Sequence, residues 1–396
     1  MILHPSSRAR APLAVVMAVV GCNAGAEPPP ETRSASSIDF ETVADVLVER
    51  LALQPGERVL LVGLPGRFDP LVPLLRKAVV AAGAEDLGAW SVGGTAGDGW
   101  GTAFTDEIAR VVDRPAALRE LLAGVDAGVM LPGAAPGQAV YAALQDVLRS
   151  GRGRTVHFHW LGAYDLEGAE RAVDETVDLL YQRALAETQY DALARTQAAF
   201  EEAMRGALVR VTTPAGTDLS FRIGDRPVTR QDGDASAARA ARARNLIDRE
   251  VELPAGAIRV APVESTVNGR IVFPPSPWRG ERVERLTLTF EDGRVVDASA
   301  ESGLEAALDE MDAAGEAGRA FRELALGFNP LLAIPEEGER WIPYYGYGAG
   351  VVRLSLGDNT ELGGAVAGPY VRWNFFVDAT VRVDGETWVR DGRLLR

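Results

Sequence analysis

The sequence predicts an α/β N-terminal half built as a doubly wound sheet, followed by an α+β half with a mixed, barrel-like sheet. Three observations carry this expectation. Up to about residue 205, short all-apolar runs such as Val59-Leu-Leu-Val-Gly63 alternate with segments of helical periodicity, as buried parallel strands and their crossover helices do. After Leu208 apolar residues alternate singly around Gly-bearing turns, the mark of hairpins. The length, 396 residues, suffices for two ordinary domains with sizeable cores.

In chain order, Asp39 caps a helix through Val43, Val46, Leu47 and Leu51, stopped by Pro55-Gly56. Val59–Gly63 is a strand. Asp69-Pro70 opens a helix to about Ala82, and Leu87–Val92 is a strand. A helix at Pro115–Leu122, a strand at Ala127–Leu131, a helix at Gln138–Leu148 and a strand at Thr155–Trp160 follow. Two longer helices, Ala169–Ala186 and Asp191–Arg205, close the first region, 38–205.

The second region, 206–396, opens with a hairpin, Leu208–Thr213 and Asp218–Ile223. Another joins Arg285–Glu291 to Arg294–Ala298. Ser302–Leu326 reads as helix with breaks at Gly315 and Gly318, and Val352–Leu356 and Tyr370–Arg382 read as strands. Ala237–Arg244, an Ala/Arg run, reads as a solvated helix or loop.

Ahead of both regions, Arg8 and Arg10 precede an apolar run, Ala11–Val20, then Gly21-Cys22. Such a run is too short to span a bilayer, which takes about 20 residues, but it fits a signal-peptide core. Val19-Val-Gly-Cys22 resembles a bacterial lipobox. Residues 1–21 are then a lipoprotein-type signal and 22–37 a Pro-rich tether. Cys22 would carry the lipid anchor of an exported, membrane-anchored protein, periplasm-facing or on the cell surface. An ordinary secretory signal or a misassigned start codon remains open. Cys22 is the only cysteine, so no intrachain disulfide forms.

The formal charge of −15 excludes a nucleic-acid partner, whose phosphates need a basic face. Leu53–Gly63 suggests a nucleotide turn, but Gly63-Leu-Pro-Gly66 is not G-x-G-x-x-G, and no acidic residue follows in Ser91–Thr95. No G-x-S-x-G nucleophile turn occurs. His157 and His159, at i and i+2 of a strand, share a face. They could be a weak metal pair with Asp165 or Glu167, or simply hydrogen-bonded rings at a strand end.

Four blocks keep a recognisable frame: Glu252–Pro262, Glu323–Pro330, Gly350–Asn359 and Arg372-Trp-Asn374. In order and spacing they resemble the metallo-aminopeptidase family of aminopeptidase T and aminopeptidase S, sharpest after Leu208. The resemblance implies homodimers and a centre of two divalent metal ions that releases N-terminal amino acids. It also implies metal ligands where this chain has Ala257, Arg353, Arg372 and Asn374; of the matched positions only Glu323 keeps a carboxylate, and the Tyr beyond the first His is Thr360. One carboxylate cannot hold two metals, and guanidiniums repel a cation. The expectation is therefore a pseudoenzyme without metal cofactor, with no confident catalytic residue. Glu323 would pair with Arg353 or Arg372. With aromatic residues including Tyr347 and Trp373, and with Asn374, the arginines would bind a peptide or other anionic small molecule. The alternative is an active metallo-aminopeptidase with a rearranged metal site, recruiting His157 and His159, or Glu264 and Asp358.

Overall fold

The computed structural model describes residues 37–396. The expected signal segment, Cys22 and nearly all of the tether lie outside the described residues.

The first region forms a five-stranded, wholly parallel sheet. Its order is Glu85–Ser91, Arg58–Gly63, Ala127–Met130, Arg154–Phe158, Glu250–Leu253. The central strands are continuously buried because helices cover both faces. Helices at Phe40–Leu51, Leu71–Ala81, Pro115–Leu122, Ala139–Arg149, Glu175–Glu187 and Tyr190–Met204 agree with the expected elements to within a few residues, save that the Ala169 start moves to Glu175. A further helix, Ala103–Val111, was not expected; Thr102 and Thr105 close a reciprocal cap at its start. The edge strand Glu250–Leu253 crosses the boundary expected at 205/206. A four-residue strand records nothing locally about its partner.

The second region holds two larger sheets. One has eight antiparallel strands ordered Arg294–Ser299, Thr287–Glu291, Asn268–Val272, Asp218–Phe221, Val209–Thr212, Thr380–Val383, Glu386–Arg390, Arg393–Leu394. The other has five, ordered Val371–Phe376, Val352–Gly357, Phe321–Gly327, Ala257–Val260, Val228–Arg230, also antiparallel. Both are open and antiparallel, which corrects the mixed, barrel-like sheet. The one strand that pairs in parallel, Glu250–Leu253, was captured by the first region instead.

A second correction concerns Ser302–Leu326. Helix spans only Leu304–Ala313; a tight turn at Gly315–Arg319 follows, and Phe321–Gly327 is a strand. Gly315 sits at φ 63, and a Cβ on Gly318 would meet the Met311 carbonyl at 2.2 Å, so the helix cannot continue. The strand is buried at all seven positions, and a short buried run has no periodicity to separate strand from helix.

One apolar cluster runs through both regions, from Leu47, Val129 and Phe158 to Val211, Leu324 and Leu354. Polar ties cross the same seam. Tyr344 donates to the Leu253 carbonyl (2.7 Å), the Tyr345 N–H to the Gly162 carbonyl (2.7 Å), and Asn329 Nδ2 to Thr188 Oγ1 (2.8 Å).

Candidate functional site

The five-stranded antiparallel sheet carries Ala257, Glu323, Arg353, Arg372 and Asn374, while Thr360 lies in the tight turn Thr360–Leu362 outside it. Side chains alternate across a strand, and residues in register share a face. Gly327 opposes Ala257, Ala325 opposes Arg259 and Arg353, and Glu323 opposes Ser355. Arg353 opposes Phe375, and Ser355 opposes Trp373. Ala257, Arg259, Glu323, Arg353, Ser355 and Trp373 therefore occupy one face. Arg372 opposes Leu356 and Asn374 opposes Leu354, which puts both on the other face.

On the first face Glu323 is wholly inaccessible to solvent. Its Oε1 accepts from Arg353 Nη2 (3.1 Å) and Ser355 Oγ (3.3 Å), and its Oε2 from Arg259 Nε (3.0 Å). Arg322 Nε lies 3.7 Å from Oε1. Arg259 and Arg322 both reach Glu361 Oε1, the first at 3.1 Å. The cluster thus sets three buried guanidiniums against two carboxylates, of which only Glu361 is partly exposed. Burial pushes the Glu323 carboxyl upward, but Arg259, Arg353 and Arg322 outweigh it and hold the group far below the usual carboxylate range. Arg259 is correspondingly held charged: burial opposes this, and Glu323 and Glu361 overcome it.

Arg353 also donates to the Tyr345 carbonyl (3.2 Å) and lies 4.7 Å over the Trp373 ring. Its Nε and that of Arg322 are buried without a hydrogen-bond partner. Tyr347 is buried and donates to Glu252. Ala257 offers only a methyl group, and it is buried.

On the opposite face Arg372 stacks on Trp278 at 3.5 Å, pairs with Glu310 (2.8 Å), and donates to Asn374 Oδ1 (3.2 Å) and the Pro277 carbonyl (2.8 Å). Asn374 Nδ2 donates to the Leu354 carbonyl (3.2 Å). The structure therefore joins Glu323, Arg353 and Trp373, and separates them from Arg372 and Asn374.

His157 and His159 share a face, ring centroids 5.3 Å apart, although His159 lies just past the strand end. Tyr141 hydroxyl bonds His157 (2.9 Å), and Glu250 lies 3.5 Å from its Nε2. Burial, reinforced by His157, pushes His159 down to about 4. His159 packs on Tyr345 at 5.9 Å, and Tyr345 packs on Trp373 at 5.5 Å. The histidines reach the site through rings, not through ligating atoms. Glu264 is tied to Asn359 Nδ2 (3.1 Å), the Ala365 N–H (2.8 Å) and Arg226. Asp358 holds the Thr360 N–H (2.9 Å) and hydroxyl (2.7 Å) and the Gly368 N–H (2.7 Å). Among the described residues no group of three or more His, Cys, Asp or Glu is disposed to hold a metal.

Sequence reasoning missed Arg259, Arg322, Ser355 and Glu361. Arg259 left a signal: it is a charge inside Ala-Ile-Arg-Val, an otherwise apolar strand, two residues beyond Ala257 and so on the same face. Glu361 left none, because it arrives from a loop.

Residues 187–333 match the family model Peptidase_M29, thermophilic metalloprotease (M29). Two solved structures are similar in fold. 2,5-Dihydroxypyridine dioxygenase from Pseudomonas putida KT2440 is 17% identical with a TM-score of 0.61, over 90% of this chain and 96% of that one. Wild-type AmpT from Thermus thermophilus is 18% identical with a TM-score of 0.59, over 90% of this chain and 99% of that one. A comparison with curated proteins gave no significant match.

Proposed function

We propose that this chain, whose residues 187–333 are similar to the M29 metalloprotease family model, is an aminopeptidase-like binding protein acting without metal and without peptide hydrolysis. The fold alone does not decide this, since a dioxygenase and an aminopeptidase-type protein share it. The observation that carries the reading is the saturation of Glu323 by Arg259, Arg353 and Ser355.

Two divalent ions need several carboxylate and imidazole donors to polarise a carbonyl and activate water. The matched positions offer a methyl group, two guanidiniums, an amide and one carboxylate. Two of them, Arg372 and Asn374, face away from the rest. Guanidinium stays charged at any working pH and opposes a cation. The residues present do not fit a two-metal centre, and no hydrolytic step follows from them.

The same cluster favours an anion. It holds one more guanidinium than carboxylate, and two buried N–H groups lack partners. A carboxylate or phosphate of a peptide or other small ligand would offset the excess of positive charge. Lipid anchoring through Cys22, export and homodimer formation complete the proposal; Cys22 lies outside the described residues, among which no helix is long and apolar enough to cross a membrane.

The test is hydrolysis of a leucyl chromogenic substrate with added zinc, cobalt or manganese. The expected result is no release above buffer. Metal-dependent, enzyme-proportional turnover would overturn the proposal and favour a rearranged site.

A further inference from the structure

Glu361, the partly exposed member of the buried cluster, lines a cleft of about 480 Å³. The cleft lies between the end of the Ala139–Arg149 helix and the Ala243–Arg249 segment. Its volume falls within the roughly 300–1,000 Å³ of small-molecule sites. Three arginines line it, Arg149, Arg244 and Arg249. Its one carboxylate, Glu361, is already answered from inside by Arg259 and Arg322. In a chain of formal charge −15, such a wall stands against the prevailing sign.

The three arginines are weakly engaged. Arg249 donates to the Gly153 carbonyl (2.9 Å), and among the described residues it has no ion pair. Arg244 approaches Glu201 only at 3.8 Å, and Arg149 pairs with Asp146 of its own helix at 3.1 Å, both side chains about half exposed. Asn245 accepts from the Asp248 N–H (2.9 Å), which leaves its Nδ2 buried without a partner. Leu148 and Leu246, both buried, supply the apolar lining. Burial lowers the Arg249 pKa despite the opposing charge of Asp248.

We propose that this cleft binds a small organic oxyanion, a carboxylate or phosphate carried on an apolar stem. The forked donors of Arg249 and Arg244 would take the anion bidentately, Asn245 would add a neutral donor, and the stem would lie on Leu148 and Leu246. The Ala/Arg run 237–244, which reads from sequence as a solvated face, thus contributes Arg244 to a site. This inference stands on the cleft and not on the absence of hydrolysis, so each can fail alone.

The experiment is isothermal titration of the whole protein with two probes, hexanoate and hexyl phosphate, at low and moderate salt. Saturable 1:1 binding of either probe is expected, and the tighter one identifies the headgroup. Arg149→Glu with Arg244→Glu should weaken it at least tenfold; both side chains are about half exposed, so the melting temperature should hold. Arg110→Glu with Arg390→Glu, the same charge change at exposed positions outside the cleft, should leave the affinity within twofold. Failure of both probes to bind overturns the proposal. So does equal weakening by the two double variants, which would mark a bulk-charge effect.

Discussion

Glu323 shows how one residue type changes meaning with its neighbours. A buried carboxylate beside histidines is a metal ligand; beside three guanidiniums it is the hub of an ion network. Truncating one member of a buried pair leaves the others charged and uncompensated, which costs about 3–5 kcal/mol. Glu323→Gln should therefore lower unfolding free energy by about that amount in urea titrations. The same variant tests the pH dependence. The folded Glu323 pKa lies below its ordinary value of 4.5, so its contribution is complete above about that pH. It is lost as pH falls toward the depressed folded value, because the unfolded chain takes up the proton first. The stability of Glu323→Gln should fall less steeply than wild type below about pH 4.5. A parallel acid limb in the two proteins would show that the network contributes no such term.

At the scale of elements, what was legible depended on how local the cause was. The Val209–Thr212 and Asp218–Phe221 hairpin, the parallel-sheet helices other than Ala103–Val111 and the strand at 352 were marked by alternation, caps or Gly punctuation, whereas the single strand expected at Tyr370–Arg382 is two, Val371–Phe376 and Thr380–Val383, in different sheets. Phe321–Gly327 was not, because its character comes from being sandwiched between Ala257–Val260 and Val352–Gly357. The candidate site was half legible for the same reason. That Glu323 had lost its partners of the expected kind was evident from residue identities. That Arg372 and Asn374 point away from it follows from register, which sequence does not state. Register also yields a test. Gly357 ends the Val352–Gly357 strand at φ 122, where a Cβ would meet the Tyr370 carbonyl at 2.0 Å. Gly357→Ala should destabilise by about 1–3 kcal/mol and lower the melting temperature, by detaching the edge strand that carries Trp373. An unchanged melting temperature would contradict the observed pairing.

Over the whole molecule the two regions share core and sheet. Their apolar side chains form one cluster, and the parallel sheet takes its fifth strand from Glu250–Leu253. Residues 38–205 expressed alone should lack a cooperative melting transition, whereas the full chain should unfold in one step followed alike by tryptophan fluorescence and far-ultraviolet circular dichroism. Two separated transitions would show that the regions fold independently. The buried network sits on the sheet just beyond this seam, and its linked Glu361 looks into the basic cleft. On the proposed reading, arginines stand in place of metals at the sheet face carrying Glu323. Elemental analysis of purified protein, after equilibration with zinc, cobalt and manganese and removal of free ions, tests it most directly. Far less than one equivalent of any divalent metal per chain is expected. One to two equivalents retained by wild type and lost in Glu323→Gln would contradict it.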